Sequence, residues 1–208
     1  DLLMEWLSGE LCSSTDERAR VARISSLVLA GDCVQQAAWK QVSETKSMES
    51  NPFAFLDPYI DQLCETLDAV VVMPGMHDPC TMTLPQQPLL RTLLPRASQR
   101  TSLHLGTNPT WFSLNGRAIL ATSGQNLDDL LKYMPDDAKR DSSAALDMAV
   151  ATLRWSHMAP TAPDTLWCYP FKAADAFVIR AAPDVYVIGN QAAFATTTFQ
   201  ASPTHQVR

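Results

Sequence analysis

The chain reads as an α/β fold with layered sheets, and two observations predict it. Short apolar runs of strand length alternate with three segments whose apolar residues recur at helical spacing. Four of those runs end in a glycine followed or closely followed by a polar side chain, the punctuation of buried strands turning at their carboxyl ends.

In chain order, Leu27–Ala30 is the first strand and runs into Gly31-Asp32. Residues 40–52 are a loop. Leu56, Tyr59, Ile60, Leu63 and Leu67 then fall on one helical face. Ala69–Met73 is a strand entering Pro74-Gly75-Met76-His77-Asp78, at the start of a proline-rich stretch over 74–100 that reads as loop. Residues 101–105 alternate, with Leu103 and Leu105 on one face. Trp111–Leu114 and Arg117–Leu120 flank Asn115-Gly116, the strongest hairpin signal in the chain. Ile119–Thr122 runs into Ser123-Gly124-Gln125-Asn126. A helix follows on Leu127, Leu130, Leu131 and Met134, with Asn126 as its N-cap and Asp128 and Asp129 in its first turn. After a loop at 134–143, Leu146, Ala149, Val150 and Leu153 form a third helical face, with Asp141 and Ser142 as caps. Val185–Ile188 is the last apolar strand and runs into Gly189-Asn190.

Composition bounds the function. The 208 residues are 46% apolar and suit one domain without a linker or repeat. No apolar run approaches the ~18 residues of a membrane span, and the opening residues lack the basic start and apolar core of a secretory signal. The net charge is −6, opposite to the balance of a protein that grips phosphate backbones, so DNA binding by this chain alone is not expected. Charged residues are only 18%, which suits either a surface that meets other subunits or an ordinary Ala-rich composition. Cys12, Cys33, Cys64, Cys80 and Cys168 are odd in number and form no CxxC, pointing to a reducing, intracellular setting. The first residue is not Met, and the last follows a polar stretch, so the sequence is expected to be a fragment.

In α/β sheets, ligands bind outside the carboxyl ends of strands. The four strand ends are therefore where chemistry is sought, although Gly-Asp and Gly-Asn are also simply good turns. The succession of LAGD, PGMHDP and TSGQN resembles calcineurin-like metallophosphoesterases, whose strand ends carry GD, GNH(D/E) and later His ligands. MPGMHDPCTMTLPQQPLL, TSGQNLDDLLKY and HMAPTAPDTLWCYPF resemble more closely the small (B) subunits of DNA polymerase delta, from about Leu27 to about Phe194.

That resemblance implies a two-sheet β-sandwich flanked by helices, with 1–208 forming one phosphoesterase-like domain incomplete at both ends. The strand carrying the first metal ligands and an OB-fold domain would lie upstream. It also implies a vestigial site at Asp32, His77, Asp78, Asn126, His157 and Asn190. Asp32 matches the bridging aspartate and His77 the catalytic His. Met76 stands where the ligating Asn belongs, and a thioether suits hard divalent ions poorly. Gly189-Asn190-Gln191-Ala192 replaces the terminal GHxH. A two-metal site needs about half a dozen such ligands, so neither metal nor other cofactor is expected, and no hydrolysis. Asp32 and Asn190 are then expected to bind backbone amides at their turns. His77 is expected in loop packing and His104 facing solvent or a neighbouring strand, while His205 carries no signal.

The family segment Pro160, Thr161, Ala162, Pro163, Asp164, Thr165, Cys168, Tyr169, Pro170 and Phe171 is stiffened by its prolines, with Trp167, Tyr169 and Phe171 alternating along one edge. It suits a loop sealing the core or, alternatively, a preordered partner surface. The implied function is a non-catalytic accessory subunit in the nucleus. It would join the catalytic subunit's cysteine-rich C-terminal metal domain to a third, clamp-linking subunit, and would meet DNA only indirectly. An active metallophosphoesterase or 3′–5′ exonuclease and the small subunit of polymerase alpha or epsilon are the alternatives.

Overall fold

A computed structural model of the chain describes residues 2–34, 52–135 and 143–208. It is a mixed α/β structure with three small sheets. The chain divides into two compact units: Asp1–Leu29, Cys33–Val72 and Leu89–Leu105 form the first, and Ala30–Asp32, Met73–Pro88 and Gly106–Arg208 form the second.

In the first unit, helix α1 (Leu2–Leu7) precedes α2 (Thr15–Val21). The Ser14 hydroxyl accepts from the Glu17 amide at 3.1 Å, and the Glu17 carboxylate accepts from the Ser13 amide at 2.9 Å, so both ends of the first turn are capped. Helix α3 (Phe53–Thr66) buries Phe53, Ile60, Leu63 and Cys64. Of the predicted face, Ile60, Leu63 and Leu67 are buried, while Leu56 and Tyr59 are half-buried. Asp57 is buried on this helix because it accepts from the Arg96 amide at 3.0 Å and the Ala97 amide at 3.0 Å. Those amides lie beside two short 3₁₀ turns, Arg91–Leu93 and Ala97–Gln99, inside the stretch predicted as loop. Strands β1 (Ser26–Ala30), β2 (Ala69–Met73) and β3 (Leu103–Leu105) are ordered β1-β2-β3, with β2 parallel to β3. The central strand is buried from Val70 to Met73, which explains its unbroken apolar run. His104 is exposed on β3, facing away from buried Leu103.

In the second unit, β4 (Thr110–Leu114) and β5 (Arg117–Thr122) form the predicted hairpin. Asn115 and Gly116 have φ of 49° and 76°, the left-handed pair a tight hairpin demands. Strand β6 (Val185–Ile188) lies parallel to β5, and β7 (Phe199–Ser202) pairs with β8 (His205–Val207) in a separate hairpin not anticipated from sequence. The core gathers Leu84, Leu120, Met158, Ala159, Phe177 and Ile179.

Helix α4 (Gln125–Leu131) corrects one expectation: Gly124, with φ of 99°, occupies the N-cap position, and Asn126 lies inside the helix, buried. A left-handed glycine starts the turn earlier than Asn126 would. Leu127 and Leu130 are buried, whereas Met134 lies past the helix end. Helix α5 (Ala144–Trp155) begins after Ser143; Asp141 and Ser142, expected as caps, lie outside the described residues. So do most of the loops expected at 40–52 and 134–143. The predicted apolar face of α5 is half-buried and lines an open groove of about 370 Å³ together with β6 and Phe194.

Candidate functional site

The carboxyl ends of the strands converge through close glycine packing within the second unit. Gly31 (φ 86°) and Gly75 approach so tightly that a Cβ on Gly75 would stand 2.3 Å from the Asp32 amide nitrogen. Gly189 leaves no space beside Ala30, since its Cβ would lie 2.7 Å from the Ala30 carbonyl oxygen. Absence of a side chain at these positions is a steric requirement of the site, beyond the needs of the turns themselves.

Asp32 has a positive φ of 52° and projects toward the loop after β2. Its Oδ1 accepts from the His77 amide at 2.7 Å, and its Oδ2 lies 3.2 Å from His77 Nδ1. Asp78 reciprocates: its Oδ2 accepts from the Asp32 amide at 2.8 Å and from the Gly75 amide at 2.9 Å. Two carboxylates thus cross-clamp the two strand ends, each holding backbone from the other's side. Met76 projects into solvent, 65% exposed.

Asn190 (φ 55°) joins two further ends. Its Nδ2 donates to the Ala30 carbonyl at 3.1 Å and to the Ser123 carbonyl at 2.9 Å. The expectation that Asn190 binds backbone amides is therefore corrected. The free valences at these strand ends are carbonyl oxygens, and only the donor half of the amide side chain can meet them. Asp32 does accept from a backbone amide, but from the neighbouring loop rather than its own turn. Asn126 Nδ2 donates to the Met158 carbonyl at 2.8 Å. His157 is paired elsewhere, with Nε2 2.8 Å from Asp175 and Nδ1 accepting from the Ala159 amide at 3.3 Å. Burial works to push the Asp175 carboxyl up, but the His157 and Phe177 hydrogen bonds outweigh it and hold it below the usual carboxylate range. His205 rests against the Pro183 carbonyl at 2.9 Å.

The donor chemistry does not fit a two-metal centre. Asp32 and Asp78 hold amides, Asn190 presents its nitrogen to carbonyls, and Met76 offers no hard ligand. Among the described residues no group of three or more His, Cys, Asp or Glu side chains is placed to hold a metal ion. Burial, then the charges of Asp78 and Asp32, push the Cys80 thiol up to about 11, away from its thiolate form.

Two polar clusters escaped the sequence reading. Gln86 and Asn108, both buried, exchange backbone hydrogen bonds at 2.7 and 3.1 Å. The Gln86 side-chain Nε2 donates to the Gly75 and Thr81 carbonyls, and Asn108 Nδ2 donates to Gln86 Oε1 at 2.8 Å and Ser123 Oγ at 2.6 Å. The LPQQP string held the signal only as a resemblance. The second cluster is centred on Asp129, whose side chain is 2% exposed. It accepts from Lys132 Nζ at 2.9 Å and from the Thr165 hydroxyl at 2.6 Å, and Thr165 in turn accepts from the Tyr133 hydroxyl at 2.9 Å. Burial would raise the Asp129 carboxyl, but the Thr161 and Thr165 hydroxyls and Lys132 outweigh it and hold it below its ordinary value.

The family segment lies across the core with its residues sorted by parity. Leu166 and Cys168 pack on the core cluster, and Cys168 pairs with Leu84 through the Trp167 carbonyl and the Tyr169 amide. The intervening Trp167, Tyr169 and Phe171 are 62%, 58% and 53% exposed, with the Tyr169 and Phe171 rings 4.8 Å apart. One edge seals the core; the aromatic edge faces outward.

The family of DNA polymerase alpha/epsilon B subunits matches residues 1–196. The DNA polymerase delta small subunit of Arabidopsis thaliana is 38% identical over 195 residues, covering 91% of this chain and 42% of the plant protein. The DNA polymerase delta small subunit of Saccharomyces cerevisiae is 33% identical over 220 residues, covering 94% of this chain and 44% of the yeast protein. The DNA polymerase II small subunit of Pyrococcus abyssi is 23% identical over 189 residues, covering 90% of this chain and 30% of the archaeal protein. The chain spans less than half the length of these relatives.

Proposed function

The chain belongs to the family of DNA polymerase alpha/epsilon B subunits, and from that membership we propose that it is a non-catalytic part of the accessory subunit of DNA polymerase delta. The delta small subunits of plant and yeast, at 38% and 33% identity, favour delta over alpha and epsilon. One observation carries the non-catalytic reading: at the strand ends, Asp32, Asp78 and Asn190 are engaged with backbone amides and carbonyls of neighbouring loops. These side chains tie strand ends together where a hydrolase would bind cations.

In this reading the chain is one incomplete phosphoesterase-like domain, a two-sheet sandwich flanked by helices whose former metal site has become a structural clamp. Its task is scaffolding in the nucleus. One surface holds the catalytic subunit's cysteine-rich C-terminal metal domain, another contributes to holding a clamp-linking third subunit, and DNA is reached through the complex. A rigid shell loses little entropy on association, which favours tight assembly. The outward aromatic edge at Trp167, Tyr169 and Phe171 supplies the kind of side chains that anchor interfaces.

The test is co-expression with the full-length catalytic subunits of polymerases alpha, delta and epsilon. Selective retention by delta is expected; retention by alpha or epsilon instead reassigns the partner. In parallel, manganese-dependent turnover of single-stranded DNA or a nucleotide ester that disappears in Asp32→Ala would overturn the non-catalytic reading.

A further inference from the structure

Tyr133 stands at an unusual junction. It follows α4 in a closing turn, its amide bonded to the Leu130 carbonyl at 3.1 Å, and Pro135 prevents the helix from continuing. It is 59% exposed. Of the other tyrosines, Tyr59 and Tyr186 are half-buried, and the Tyr169 ring packs on Phe171. The Tyr133 hydroxyl nonetheless has a specific task, because it donates to Thr165, whose own hydroxyl donates to buried Asp129.

The polarity of this relay is fixed. A carboxylate only accepts, and Thr165 has one proton to give, so the proton that satisfies Thr165 Oγ1 comes from Tyr133. Removing the phenolic proton reverses the outer end of the chain. We propose that Tyr133 is a phosphorylation site for a protein tyrosine kinase, and that its modification unlatches residues 160–165 from α4.

In the step, Tyr133 Oη attacks the γ-phosphorus of ATP and the bond from that phosphorus to the β–γ bridging oxygen breaks. ADP leaves, and the phenolic proton passes to the kinase's base. The product carries a near-dianion that only accepts hydrogen bonds. It competes with Asp129 for the single Thr165 proton and for Lys132, which now sits 2.9 Å from Asp129. It also brings like charge toward a carboxylate held in a buried position. Asp129 loses partners, and the segment that Thr165 anchors is released. No partner subunit is needed for this chemistry.

The experiment treats the whole chain with a purified tyrosine kinase domain, magnesium and ATP, followed by peptide mass spectrometry and amide hydrogen exchange. One phosphate at Tyr133 is expected, with exchange over 161–166 accelerated on the order of tenfold, the scale of one lost hydrogen bond to a charged group. Tyr133→Phe should take up no phosphate there. Thr165→Ala should raise exchange over the same residues without kinase and show little further increase with it. Absence of phosphate at Tyr133 while Tyr169 is labelled overturns the proposal. So does phosphate at Tyr133 with unchanged exchange, or a Thr165→Ala variant whose exchange matches the unmodified chain.

Discussion

Gly75 and Gly116 are both glycines in turns, yet the structure separates them. A Cβ on Gly75 would meet Asp32 Oδ1 at 2.4 Å, whereas one on Gly116 meets nothing within 4 Å. Gly75→Ala is therefore expected to cost about 1–3 kcal/mol through forced displacement of the Asp32 clamp. Gly116→Ala should cost about 1–2 kcal/mol from its left-handed φ alone. Urea unfolding separates the causes: Gly116→Asn, at home at a positive φ, should recover much of the Gly116→Ala loss, whereas Asp32→Ala should not rescue Gly75→Ala, because the Asp32 amide nitrogen still stands 2.3 Å from the new Cβ. Asp129 gives a pH prediction. Its folded carboxyl lies below the ordinary value of about 3.9. It contributes stability above that unfolded value and loses it as pH falls through the lower folded one. Asp129→Asn should flatten the acid limb of the stability profile below about pH 4, read by thermal melts across pH; an unchanged limb would contradict the role of hydroxyls and Lys132 in holding this buried carboxylate ionised. Asp32 and Asp78 stood out in the sequence because they follow strand ends, but that each holds the other's backbone was not legible there. Asp129 is recognisable in the sequence only as a first-turn anion, since nothing local reveals that Thr165 lies beside it.

Elements were legible where a local period was decisive. β2 and β6 occupy the predicted residues, and the Asn115-Gly116 hairpin formed as turn chemistry demands. Helix α4 started after Gly124 instead, because an N-cap is chosen by backbone geometry at the strand-to-helix turn, where a left-handed glycine outcompetes a capping side chain. The β7–β8 hairpin is hidden because Phe199–Ser202 and His205–Val207 are short and mostly polar, with little alternation to count. Within β5, Leu120 is fully buried in the cluster with Met158, Phe177 and Ile179. Leu120→Ala is expected to cost about 2–5 kcal/mol, measurable as a lower urea midpoint at unchanged slope.

At the scale of the molecule, the family segment shows how stability and assembly divide between neighbouring residues. Trp167→Ala should leave the unfolding free energy within about 0.5 kcal/mol, since the side chain is 62% exposed. Under the proposed function it should weaken retention of the polymerase catalytic subunit in a pull-down. Cys168, its neighbour, packs on the core, and Cys168→Asp should unfold the chain before any partner is tested. Equal loss of stability in both variants would remove the distinction between inner and outer edges. The residues alone determined the α/β class, the principal strands and helices and the family, because periodicity, turn chemistry and long idiosyncratic strings are written locally. Only the tertiary structure decided what the polar side chains hold. Whether Asn190 offers oxygen or nitrogen, whether His157 meets Asp175, and whether an aromatic faces core or solvent all depend on segments brought together from distant parts of the chain.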